Sequence, residues 1–153
     1  MKKLRVLLGG DESIRNLKDV LESWGLDAVA VADGKQACSA VYTHRFDLCL
    51  LNWDLPRMSG LAACSWIRAV NLPVQPYIVL ITHQPEQIQA AYSAGADDYI
   101  SGSFQLEDLR SLVATVAQRL SRTRFDDQDF RSMDPLEQYR HDLSASATLH
   151  ART

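Results

Sequence analysis

L-L-N-W-D-L-P-R-M-S-G, residues 50–60, is the stretch that decides the fold. An apolar run from Phe46 to Leu51, broken only by Asp47, ends in the polar Asn52. Pro56 then turns the chain, and Gly60 leads into a helix-period segment. This is the layout of a strand that delivers one side chain to the carboxyl edge of a parallel sheet, where open α/β folds place their sites.

Outward from this stretch, short β-branched runs alternate with longer helix-period segments. Residues 4–8 read as a buried strand. Ile14, Leu17, Val20, Leu21 and Trp24 share one helix face, with Ser13 or Asp11 as N-cap and Gly25 as a stop. Residues 28–31 form a second strand, and Asp33-Gly34 turns the chain into a helix carrying Ala37, Ala40 and Val41. Residues 47–51 are the third strand. Leu61, Cys64, Ile67 and Val70 make the next stripe, ended by Pro73. Residues 77–82 are the fourth strand. Pro85 suits the first turn of a helix carrying Ile88, Ala91 and Tyr92, which Gly95 ends. Residues 98–100 are a short fifth strand. Leu106, Leu109, Leu112, Val113, Val116 and Leu120 form a strong last stripe. The fold class implied is α/β: a doubly wound five-stranded parallel sheet, (βα)5, covered on both faces. Its order 2-1-3-4-5 places a site at the ends of strands 1 and 3.

Composition narrows the function classes. The 153 residues suit one domain, 1–120, and a tail, 121–153. In the tail, Arg122, Arg124, Arg131, Arg140 and Arg152 mix with six acids and scattered aromatics. The tail is expected to be mostly disordered or ordered by a partner, with a short helix over 135–141 opened by Asp134-Pro135. A net charge of −3 gives no case for direct nucleic-acid binding or for an anionic membrane. The apolar run Val6 to Leu8 is too short for a signal peptide, and nothing approaches membrane-spanning length. Cys38, Cys49 and Cys64 lack C-x-x-C spacing and read as small buried residues of a reducing cytosol, so the expected location is cytoplasmic. No histidine or second cysteine stands at zinc-ligand spacing.

Residues 50–60 closely resemble the phosphoacceptor loop of response-regulator receiver domains, D-x-x-M-P-x-M-D-G. A-G-A-D-D-Y at 94–99, followed by Phe104, matches that family's last strand and exit loop. Thr82 stands where the family keeps Thr or Ser, and Tyr99 takes its aromatic switch position. Together these features, in order, are similar to a CheY-like, flavodoxin-like receiver over residues 3–120.

The resemblance implies a phosphoacceptor aspartate, a pair of acids that help hold Mg2+, a lysine for the phosphoryl oxygens, and the Thr and aromatic sensors. Here Asn52 replaces the acceptor, and a neutral amide is not a competent nucleophile. The acidic pair falls on Gly9 and Gly10, or on Gly10 and Asp11 in a shifted register, because the first helix is one residue short. The family's K-P-F is G-S-F at 102–104, so Gly102 replaces the lysine and Ser103 the proline. Only Thr82 and Tyr99 persist. Phosphoryl transfer rests on positioning and charge neutralisation, so these losses are severe. Acids and lysine are absent together, which avoids the penalty of leaving either charge unpaired. The pattern fits a natural, atypical pseudo-receiver.

The implied function is a non-enzymatic module of two-component or phosphorelay signalling, acting by phosphorylation-independent protein–protein interaction. No metal is expected: Mg2+ binding is lost, although Asp54 with Asp11 is a candidate remnant. The partner is expected to be another signalling protein: a kinase, a regulator or a fused output domain. The family's interaction face maps onto Gln87, Ala91, Tyr92, Asp98, Tyr99, Arg110 and Arg119, and homodimerisation through it is a further arrangement. Two alternatives stay open: a receiver still phosphorylated at an unusual site, and a small-ligand sensor using the vacated acidic pocket. Trp53 reads either as a partner anchor or as a lid over that pocket, and His83 as an exposed loop residue. G-G-D-E at 9–12 imitates a diguanylate cyclase signature, but only eight residues precede it and a helix follows, so it reads as coincidence. Gly9-Gly10 as a phosphate cradle lacks a third spaced glycine and a P-loop lysine.

Overall fold

The computed structural model describes residues 3–132, with side chains described as far as Ser121. Strands β1 (Arg5–Gly9), β2 (Asp27–Val31), β3 (Leu48–Asn52), β4 (Tyr77–Thr82) and β5 (Asp98–Ser101) form one parallel sheet in the order β2-β1-β3-β4-β5. This is the expected topology. β3 and β4 are buried at every residue but one end, the mark of strands covered on both faces. Leu7, Cys49, Leu51, Ile78 and Leu80 of the sheet join Ala37, Val41, Ala63, Cys64, Ile67 and Ala91 in one core. The alternate residues Val6, Leu8, Leu48, Leu50, Val79 and Ile81 are buried on the opposite face.

The connecting helices are α1 (Glu12–Arg15), α2 (Leu17–Ser23), α3 (Gly34–Thr43), α4 (Gly60–Ala69), α5 (Ile88–Ser93, entered through a 3-10 turn, Pro85–Gln87) and α6 (Leu106–Ser132). Short polar side chains start three of them. Asp11, Asp33 and Ser59 accept hydrogen bonds from the amides of Ile14 (3.2 Å), Gln36 (2.8 Å) and Ala62 (3.1 Å). Left-handed Gly25 (φ +86°) and Gly95 (φ +101°) close the ends of α2 and α5, where a side chain would be strained.

Four local expectations need correction. The first helix is not continuous: Asn16 caps α1 through its N–H to Glu12 and separates it from α2. Asparagine is a weak helix former, and the break falls in the segment that is one residue short. Val70 does not continue the α4 stripe; it is extended, and the Gln75 side-chain amide donates to Ile67 and Val70 carbonyls (3.0 and 3.2 Å) in place of further helix. Leu106 opens α6 half exposed rather than facing inward. Finally, α6 runs through the expected boundary at residue 120 to Ser132, because residues 121–132 contain neither glycine nor proline to stop it. The rest of the expected tail, including the 135–141 helix, lies outside the described residues.

Arg68 of α4 ties distant loops together. Its Nε donates to Gly95 O (2.7 Å), one terminal nitrogen to Gln75 Oε1 (2.9 Å) and Pro76 O (2.8 Å), and the other to Asp97 Oδ2 (2.6 Å). Asp97 Oδ2 also accepts from the Ile78 amide of β4 (2.8 Å).

The chain forms two compact units, Met1–Arg110 and Ser111–Thr153, and α6 begins in the first and continues in the second. In the second unit Leu112 and Val116 are buried, and the Thr115 hydroxyl donates to the Ser111 carbonyl (3.0 Å). No helix among the described residues is long and apolar enough to cross a membrane.

Candidate functional site

The parallel register brings the carboxyl ends of β1, β3, β4 and β5 to one rim. Gly9 faces Leu51 across β1–β3, so Gly10 comes beside Asn52; Asn52 faces Ile81, and Thr82 faces Ser101. The residues singled out at 9, 10, 52, 82 and 102 therefore do converge. Asp11 and Asp54 stand outside this group. Asp11 is exposed and spends its carboxylate on the α1 cap, while Asp54 is an exposed loop residue. Hydrogen bonds from the Ser13 hydroxyl, first, and the Ile14 amide hold the Asp11 carboxyl below the usual carboxylate range.

Neighbouring side chains fill the space beside each glycine. A Cβ on Gly9 would stand 2.8 Å from Leu51 Cδ2, with Leu55 and Val31 methyls within 3.6 Å. A Cβ on Gly10 would meet the Cβ, Cγ1 and Cγ2 of buried Ile14 at 2.6–2.9 Å. A Cβ on Gly102 would overlap the His83 ring, with Cε1 at 1.8 Å. The imidazole thus lies against the Gly102 backbone, where a longer residue would start its side chain. The Gly102 amide donates to the Thr82 carbonyl (3.0 Å), fixing the two loops together.

The contact between His83 and Gly102 is the feature that motif reading missed. The signal was present: Thr82 and Ser101 are ladder partners, so the residues following each must meet across the rim. Leu55, filling space beside Gly9, was missed because it stands at the family's methionine position and reads as an ordinary loop residue.

Thr82 is buried, and its hydroxyl is bonded to the Gln87 side chain and the Gln84 backbone. It is held within its own loop. Trp53 is half-buried and packs on the core cluster, so it is not a free anchor. Gly60 lets the phosphoacceptor-type loop close, since a Cβ there would lie 2.2 Å from the Asn52 carbonyl oxygen.

Of the expected interaction face, Ala91 is not on the surface, whereas Arg110 is exposed. Ala91 is fully buried, because its side chain points from α5 into the core. Arg110 stacks over the Trp24 ring at 5.1 Å, held there by cation–π attraction. Gln87 is half-buried, engaged by Thr82. Tyr92 (47% exposed) and Tyr99 (38% exposed) meet edge to face, with ring centroids 6.1 Å apart, and Asp98 lies beside them. Desolvation, then the Asp98 charge, push the Tyr92 phenol above its usual range. Arg119 is exposed on α6 in the second unit.

Chemically, the rim offers a neutral amide, a hydroxyl already bonded and an imidazole against a glycine. Among the described residues no three His, Cys, Asp or Glu side chains gather closely enough to hold a metal ion. Mg2+ takes oxygen ligands, preferably including carboxylates. Gly9 and Gly10 supply no side-chain oxygen, so the donors present do not fit that ion.

This sheet order, with its site at the ends of β1 and β3, defines a flavodoxin-like α/β fold. The response regulator receiver domain model matches residues 11–114, and the chain belongs to that family. It is 32% identical over 141 residues to the DNA-binding response regulator MtrA of Mycolicibacterium smegmatis, covering 90% of this chain and 59% of that protein. It is 27% identical over 121 residues to the transcriptional regulatory protein RprY of Bacteroides fragilis, covering 78% of this chain and 51% of the relative. The chain therefore spans little more than half the length of these relatives. Among solved structures, the receiver domain of the Francisella response regulator 1452 superposes with a TM-score of 0.71 at 23% identity, over 77% of this chain and 99% of that one.

Proposed function

We propose that this receiver is a pseudo-receiver, passing signals by protein–protein contact without a phosphoryl group. The observation that carries this reading is the filled rim. The buried side chains of Leu51, Leu55 and Ile14 take the room that acids at 9 and 10 would need, and the exposed His83 ring lies where a lysine at 102 would start. Asn52 supplies no nucleophilic carboxylate, and the Thr82 hydroxyl is engaged locally. In this reading Mg2+ binding is lost, no reaction is catalysed, and the protein works in the cytoplasm.

The partner is a kinase, a regulator or a fused output domain, met through the exposed Tyr92–Tyr99 pair with Asp98 at its side. Exposed aromatics are frequent interface anchors. MtrA is a DNA-binding response regulator and RprY a transcriptional regulatory protein, but the net charge of −3 favours a protein partner for this chain.

The test is incubation of the full chain with acetyl phosphate and Mg2+, followed by intact mass measurement and an amide NMR titration with beryllofluoride. No phosphoryl adduct and no magnesium-dependent shift at Asn52, Thr82 or Gly102 are expected. A stable, base-labile adduct on the unaltered chain would overturn the proposal.

A further inference from the structure

We infer a second, separate site: a groove at the β2 edge of the sheet that takes a small aromatic carboxylate. The groove has a volume of about 330 Å3 and lies between β2 and α3, away from the rim. That is in the lower part of the roughly 300–1,000 Å3 range of small-ligand clefts. Val29, Val31, Ala40 and Phe46 line it together with five polar residues, Arg5 and His44 among them. β2 is the last strand on its side of the sheet, and Val29 is 37% exposed there.

Arg5 gives the site its charge preference. Its guanidinium lies over the Phe46 ring at 5.2 Å. Stacking leaves the N–H fork, which lies in the guanidinium plane, free to bind a planar anion. Among the described residues it forms no ion pair. The Asp47 carboxylate accepts from the Arg5 backbone amide instead (2.9 Å). Asp27 faces Arg5 across β1–β2, yet the two form no ion pair. A half-buried arginine that forms no ion pair among the described residues, beside a partly apolar groove, matches a ligand with a carboxylate at one end and a flat apolar body at the other. Charge-assisted, bidentate bonding would supply orientation, and ring contact with Val29 and Val31 would supply the burial.

The experiment is an amide NMR titration of the full chain with 1-naphthoate, paired with 1-naphthalenemethanol, an uncharged analogue of similar shape. Saturable shifts confined to residue 5 and its neighbours, 27–31 and 36–46 are expected for the acid. The alcohol should bind about tenfold more weakly or worse. Arg5→Met keeps the aliphatic stem but removes the fork, and should weaken naphthoate binding by about the same factor. If Arg5→Met does not fold, Arg5→Lys retains a charge without the bidentate geometry and should still weaken binding several-fold. The inference is overturned if naphthoate gives no saturable shift, if shifts fall outside the groove, if the alcohol binds equally well, or if the Arg5 variant that folds binds as tightly as the wild type. None of these outcomes depends on the phosphorylation state of the rim.

Discussion

Putting a side chain back at residue 10 gives a direct measure of how far the rim has closed. Gly10 is buried, and a Cβ there would lie 2.6 Å from Ile14 Cβ and under 3 Å from both of its γ carbons. Ile14 cannot swing aside, because its Cβ is fixed to the backbone of α1 and the residue is 7% exposed. Overpacking of this kind costs about 1–3 kcal/mol. Replacing glycine by alanine recovers about 0.4–1 kcal/mol from the unfolded chain. Gly10→Ala should therefore lose about 1–2 kcal/mol net. Gly10→Asp adds a carboxylate next to Ile14 with no basic residue at 9 or 102 to pair it, for a total loss of about 3 kcal/mol or more. Urea unfolding at 25 °C, with the slope checked for constancy, measures both variants. For a domain of this size the aspartate variant should melt roughly 10 °C lower. A Gly10→Ala protein as stable as the wild type, or a Gly10→Asp protein rescued to wild-type stability by millimolar Mg2+, would refute the reasoning.

Asn52→Asp alone should gain no phosphoryl group from acetyl phosphate with Mg2+, because neither Gly9, Gly10 nor Gly102 supplies a charged partner; intact mass measurement decides it. Arg68→Ala removes four hydrogen bonds to Gly95, Gln75, Pro76 and Asp97 and should destabilise by about 2–3 kcal/mol in urea, with Asp97→Asn milder because an amide oxygen can still accept from Ile78. Burial pushes the Cys64 thiol up to about 11, and Cys49 rises further in the same direction. The folded state therefore favours the protonated thiol, and that stability is intact below pH 9 and lost as pH climbs toward 11. Stability measured across that window should fall, and fall less steeply in Cys64→Ala; in the native protein at pH 8, Cys49 should resist a disulfide reagent until the chain unfolds.

The fold was legible because periodicity and turn residues agreed at nearly every step. The run at 77–82 became β4 with the same limits, and Asp33 and Ser59 capped helices as short polar residues before apolar stripes do. What escaped was local competition. Gln75, seven residues on from Arg68, replaced the helical partners expected for the last carbonyls of α4, and no periodicity records a side chain that bonds back in that way. The site was legible as a set of positions, since strand ends at 9, 52, 82 and 101 must meet in a parallel sheet. Its filling was not: Ile14, Leu55 and His83 approach the glycines through loops and helix starts, whose paths residue spacing does not fix. Arg68 was missed for a different reason: an arginine near a helix end ordinarily reads as solvated, and only the fold brings residues 75, 76, 95 and 97 to it.

The side chains packed beside Gly9 and Gly10 make this rim an evolutionary ratchet. On the proposed reading, lysine at 102 would need only the exposed His83 ring to turn aside, whereas acids at 9 or 10 would have to repack the buried Leu51 or Ile14. Each single reversion to an acid loses stability before it can recover chemistry, since the full charge set works only together. On that reading, selection can elaborate the outer surfaces of such a chain far more readily than it can install acids at this rim.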